Sequence, residues 1–141
     1  MTLPRILKPI ASTIIMGLVV LGLSACGVGG PAPAERLKTA MQDAATSVPG
    51  VASAQLHVNM NTSGNFITAK LVGTASDEAA LARALEEALP AMLEETEDLD
   101  TGTFSVGIFS PDDGVSVGAD ALGYPGGASL TDFREFFLDR P

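Results

Sequence analysis

The chain has 141 residues, with 8 basic and 17 acidic side chains for a net charge of −9, and it holds one Cys, one Tyr and no Trp. That length accommodates one domain plus a targeting segment, and the negative field disfavours nucleic acid and anionic surfaces as partners. A single cysteine cannot close an internal disulfide.

Met1 to Pro9 carries Arg5 and Lys8, Ile10 to Leu23 is uncharged and apolar, and Leu23-Ser24-Ala25-Cys26 follows. A basic start, a short apolar run and small residues make signal-peptide architecture. As a helix the apolar run extends about 21 Å, short of a ~30 Å hydrocarbon core. The four residues Leu23 to Cys26 resemble the lipobox of bacterial lipoproteins, whose cysteine is diacylglycerylated and becomes the first mature residue. The resemblance implies a signal peptide over residues 1–25 and a lipid anchor on Cys26. It also implies a place on the extracytoplasmic face of a bacterial cell membrane. The alternative is an ordinary secreted or membrane-anchored chain with a chance cysteine. Removing residues 1–25 takes away Arg5 and Lys8 and leaves 116 residues with 6 basic and 17 acidic groups, a net charge of −11. Residues 26–34, with Gly27-Val28-Gly29-Gly30-Pro31-Ala32-Pro33-Ala34, have no periodicity and are expected to form a tether.

Residues 35–141 are expected to form one domain. Glu35 to Val48 has a helical stripe of Leu37, Met41, Ala44, Ala45 and Val48, ended by Pro49-Gly50. From Val51 the period becomes two, with Ala52, Ala54, Leu56, Val58 and Met60 facing inward and Ser53, Gln55, His57 and Asn59 outward. A turn containing Gly64 leads to a second strand, Phe66 to Thr74, which buries Ile67, Ala69 and Leu71, so the pair reads as a hairpin. Ser76 is the expected N-cap of a helix striped by Leu81, Leu85, Ala88, Leu89 and Met92, with a kink or a new segment at Pro90. A third strand carries Phe104, Val106 and Ile108. The turn Pro111-Asp112-Asp113-Gly114 leads to a fourth with Val115, Val117, Ala119 and Ala121, and Leu130 to Leu138 closes as a short helix.

The order αββαββ(α) predicts an α+β two-layer sandwich: a four-stranded antiparallel sheet with two helices on one face. Its other face is expected to be rich in Ser, Thr, Asn and Gln. Val48-Pro49-Gly50-Val51 and Leu71-Val72-Gly73, with the helix that follows to Met92, resemble the BON domain of bacterial envelope proteins. Gly64 is placed where that family has a glycine. The fourth strand and the Phe-rich tail depart from its pattern. The resemblance implies membrane-surface or partner binding.

No constellation for catalysis, metal or cofactor stands out. His57, the sole histidine, lies in a plain strand pattern without a motif-bound nucleophile or acid. The run Glu94, Glu95, Glu97, Asp98, Asp100 lacks the twelve-residue calcium loop, and Gly27-Val28-Gly29-Gly30 lacks the strand and Gly-Lys-Ser/Thr of a phosphate loop. Phe133, Phe136 and Phe137 share one face of the last helix. They either pack on the domain's own core or offer contact to a partner, ligand or lipid. The expected function is a non-enzymatic, membrane-tethered binding or scaffolding module for an unknown envelope protein or ligand. The alternatives are a tethered carrier of an apolar ligand and an envelope hydrolase whose residues meet only in the fold.

Overall fold

The computed structural model describes residues 32–139. The expected signal peptide and the lipid site at Cys26 lie outside the described residues. The elements are α1 (Pro33–Thr46), β1 (Val51–Asn61), β2 (Gly64–Gly73), α2 (Glu78–Glu94), β3 (Thr103–Phe109), β4 (Ser116–Gly118), a 3₁₀ turn (Ala119–Leu122) and α3 (Leu130–Leu138). Helix α1 begins two residues inside the expected tether, because Pro33 supplies a first-turn φ suited to a helix and has no N–H to leave unpaired.

The strands form one sheet in the order β1-β2-β3-β4. The β1/β2 and β3/β4 pairs are antiparallel, but β2 and β3 are parallel, with Ile67 opposite Phe104 and Leu71 opposite Ile108. The all-antiparallel expectation is therefore corrected to a mixed sheet. The cause is α2, which carries the chain back to the starting end of β2 before β3 begins, as a parallel pair requires. The architecture is α+β with three helices.

One face of the sheet carries the core. Met41 and Ala45 of α1, Leu81, Leu85, Ala88, Leu89, Met92 and Leu93 of α2, and Phe104 and Ile108 of β3 are sealed from solvent. Asp77, one residue later than expected, caps α2 by accepting from the Ala80 N–H at 3.0 Å. Pro90 neither ends nor divides α2, which continues to Glu94. An interior proline costs about 3 kcal/mol, whereas each fully buried Leu or Met returns about 1.5–3 kcal/mol. Leu89, Met92 and Leu93 flank it, so burial outweighs the break.

Three local expectations on the strands change. Val51 faces Gly73 and Ser53 faces Val72, so Ala52 is an extra, bulged residue that points to solvent instead of inward. Val58 of β1 and Val106 of β3 are only partly buried, as is Leu37 of α1, and on β1 the reason is its position at the sheet edge, with a strand on one side alone. The fourth strand is three residues long, and the chain then enters the 3₁₀ turn at Ala119. It returns beside the start of β3, where the Phe104 N–H donates to the Ala128 carbonyl (2.8 Å) and the Leu130 N–H to the Gly102 carbonyl (2.9 Å). Gly50, at φ 96°, makes the turn from α1 into β1. A Cβ there would stand 3.1 Å from that of Ala84, so the turn needs glycine both for its φ and for the approach to α2.

Candidate binding surface

The face of the sheet opposite the helices is uncovered among the described residues. Its rows follow from the register: Asn59, Phe66, Thr103; then His57, Thr68, Ser105; then Gln55, Lys70, Gly107, Gly118; then Ser53, Val72, Phe109, Ser116. The first two rows are exposed throughout, and Phe66 is the large apolar side chain open to solvent, at 44%. Hydroxyl, amide and imidazole groups surround it. The expected Ser/Thr/Asn/Gln face is present, and His57 lies on it in the expected phase. Periodicity puts Phe66 in its strand, and its parity opposite to Ile67 is the sequence signal that it faces outward.

One corner of this face is more closed. Lys70 Nζ lies 4.7 Å from the centroid of the Phe109 ring and 3.5 Å from an Asp113 carboxylate oxygen. Both ionic partners are well exposed, so the ion pair contributes little and the cation–ring contact mainly orients the lysine. Gly107 makes room for Phe109, whose ring edge is 3.5 Å from where a Cβ would stand. The turn behind Asp113 is held by Ser110 and Asp112. The Ser110 hydroxyl donates to Asp112 Oδ1 (2.7 Å), the Gly114 N–H donates to the same oxygen (3.0 Å), and the Val115 N–H donates to Ser110 Oγ (3.0 Å). The Ser110 hydroxyl first, then the Gly114 N–H, holds the Asp112 carboxyl below its ordinary value.

The three phenylalanines of α3 have different surroundings. Phe133 is buried, edge-on to Phe104 (centroids 4.8 Å) and stacked on Tyr124 (4.3 Å). Phe136 and Phe137 are half-buried around the same tyrosine, at 5.4 and 5.8 Å. The helix thus docks on its own domain through Phe133 and leaves parts of the other two rings at the surface. Arg134, beside them, donates through Nη1 at 2.6 Å to the Thr96 carbonyl just past the end of α2, which also accepts from the Leu99 N–H at 2.9 Å. Burial, and then the charge of Asp132, raises the pKa of the Tyr124 phenol.

Two open hollows flank α1. One, of about 270 Å³, is lined by Pro33, Arg36, Leu37, Ala40, Met60, Glu95, Asp98 and Leu99. The other, of about 310 Å³, lies between Glu35 and Lys38 of α1 and residues 56–59 of β1. Among the described residues no three His, Cys, Asp or Glu side chains converge as metal ligands, and no helix is long and apolar enough to cross a membrane. No known family, curated protein or solved structure matches the chain.

Proposed function

We propose that this chain is a bacterial envelope lipoprotein that carries a non-enzymatic binding or scaffolding module on a lipidated Cys26, outside the membrane. The observation that carries the reading is the open sheet face, where Phe66 stands exposed among His57, Asn59, Thr68, Thr103 and Ser105. An aromatic ring among small polar groups suits docking, since it offers area at low entropic cost while its neighbours hydrogen-bond. The Leu-Ser-Ala-Cys sequence and the BON-like run from Val48 to Met92 favour the same assignment. The partner is an envelope protein or ligand and not nucleic acid, given the mature charge of −11.

The partly exposed Phe136 and Phe137 are a secondary contact, with Phe133 beneath them fixing the helix. The carrier alternative needs an enclosed apolar cavity, whereas the hollows beside α1 are open and rimmed by charge. The test begins at the N-terminus. Mass spectrometry should show an acylated Cys26 as the first mature residue, and Cys26→Ser should release the domain from membranes or stall processing. An unmodified thiol in a chain that starts elsewhere sinks the anchoring. Hydrolytic turnover lost on replacing His57 in a folded chain sinks the non-enzymatic reading.

A further inference from the structure

The charges of this chain avoid the sheet. None of the 17 acidic residues lies on a strand, and Lys70 is the one Lys, Arg, Asp or Glu on any of the four. Two acids border the open face at its β4 side. Asp113 stands 3.5 Å from Lys70 Nζ, and Asp120 Oδ1 lies 2.8 Å from where a Cβ on Gly118 would be. At the β1 side, α1 brings one acid and one base together, Glu35 and Lys38. A hollow of about 160 Å³ lies over β1 and β2 between these margins, lined by Gln55, Leu56, His57, Thr68 and Lys70, with no carboxylate among them.

Gln55 is opposite Lys70 and His57 is opposite Thr68, so an amide, an ammonium, an imidazole and a hydroxyl border this hollow. Apart from the ion pair of Lys70, these four side chains make no hydrogen bond to the described residues. Hydroxyls off the sheet behave differently: Thr46, Ser47, Thr96 and Ser110 each bond internally. Asp113 is placed by its turn and not by the ion pair, since its N–H donates to the Ser110 carbonyl at 2.9 Å and its φ is 64°. It shows the group that Lys70 accepts, a carboxylate, and leaves the lysine side chain 43% exposed. Phe66 lies four residues before Lys70 on the same face, about 13 Å away at ~3.3 Å per residue.

We infer that the partner of this face is an extended peptide segment with one carboxylate for Lys70 and, four residues away, an apolar side chain for Phe66. The inference rests on the binding role proposed above and names the chemistry that role would read. Side chains four apart in an extended segment stand about 13 Å apart, which is the span from Phe66 to Lys70. His57, Thr68 and Ser105 lie between the two anchors and offer hydrogen bonds to the segment's peptide groups. A single carboxylate fits where a polyanion does not. The Debye length is about 8 Å at physiological salt, so a lone acid at the hollow is governed by Lys70, whereas a run of acids meets the field of a chain of net charge −9. A free small acid would fill the hollow and leave Phe66 uncovered.

Selection from a random phage-displayed peptide library on the full chain in mild detergent tests it. Enriched peptides should carry Asp or Glu four positions from Leu, Ile or Phe. Selection on Lys70→Gln should lose the acid, and selection on Phe66→Ser should lose the apolar residue. For one enriched peptide made synthetically, exchanging its acid for the amide should weaken binding about threefold on the parent chain and not at all on Lys70→Gln, the size expected of an exposed ion pair. Asp113→Asn removes the internal competitor and should tighten binding about twofold. The three replaced side chains are exposed, so the fold tolerates the changes, and an unaltered Tyr124 signal checks this. Enrichment of neutral or basic peptides that still need Phe66 overturns the inference and leaves the binding role standing. Amide shifts at residues 66–70 caused by chitotetraose but by no enriched peptide overturn it in favour of a glycan. Absence of enrichment also overturns it, and the binding role falls with it only if no envelope adduct forms at Phe66.

Discussion

Truncating Phe133 to Ala removes the ring that joins α3 to the rest of the domain. The residue is 4% exposed and packs on Phe104 and Tyr124 at 4.8 and 4.3 Å. Buried Phe→Ala changes cost about 3–5 kcal/mol, and each aromatic pair contributes about 0.5–1.5 kcal/mol beyond burial. Near a surface loop part of the void can collapse, so about 3 kcal/mol is expected. That is a substantial share of the roughly 5–15 kcal/mol available to a domain. Tyr124 is the only tyrosine and there is no tryptophan, so intrinsic fluorescence reports this cluster alone. Urea unfolding followed by tyrosine emission and by far-ultraviolet circular dichroism should show one lowered midpoint with both probes. Phe137→Ala, at a half-buried ring, should cost about 1–2 kcal/mol. A midpoint for Phe133→Ala within about 0.5 kcal/mol of the parent would refute the docking of α3 on the core.

Arg134→Met should cost about 1–2 kcal/mol, because it removes one charged hydrogen bond while the Thr96 carbonyl keeps the Leu99 N–H; chemical denaturation measures it. Tyr124→Phe should be neutral or stabilising by up to about 1–2 kcal/mol, since the buried hydroxyl has no hydrogen-bond partner among the described residues. The raised phenol pKa means that Tyr124 favours folding below its unfolded value of 10.0, and this contribution is lost as pH rises through the higher folded value. The parent should thus lose stability at alkaline pH more steeply than Tyr124→Phe. Asp112 has the opposite sign. Its lowered pKa contributes above the unfolded value of 3.8 and is lost as pH falls through the folded one, so Asp112→Asn should flatten the acid limb of a stability–pH profile. Calcium should leave the thermal midpoint unchanged. A large saturable rise would show that Glu94 to Asp100 converge on an ion.

Periodicity carried most of the architecture. The Leu81, Leu85, Ala88, Leu89, Met92 stripe is buried throughout, and α3 spans Leu130 to Leu138 as expected. Strand direction was harder, because an alternating pattern is the same for parallel and antiparallel neighbours. The helix between β2 and β3 was the available signal, since a crossover of that length allows parallel pairing. The Ala52 bulge had no such signal, as alanine is acceptable on either face. Ala119 and Ala121 continued the alternation of β4, yet Gly118 and Gly123 bracket the 3₁₀ turn that ends it. At the candidate surface, His57 and its polar neighbours were placed by phase alone. The Lys70, Phe109 and Asp113 corner depends on the parallel register and on the turn after Ser110, which alternation does not encode.

The central claim is that the open sheet face binds an envelope partner, and photocross-linking in the native envelope tests it most directly. A photoreactive residue at Phe66 should give a discrete adduct, absent when the same group replaces Glu86 on the exposed side of α2. Thr68→Glu with Ser105→Glu should abolish the adduct without changing the Tyr124 signal. Equal adducts from both positions, or an adduct at Phe66 that survives the paired glutamates, would contradict the account.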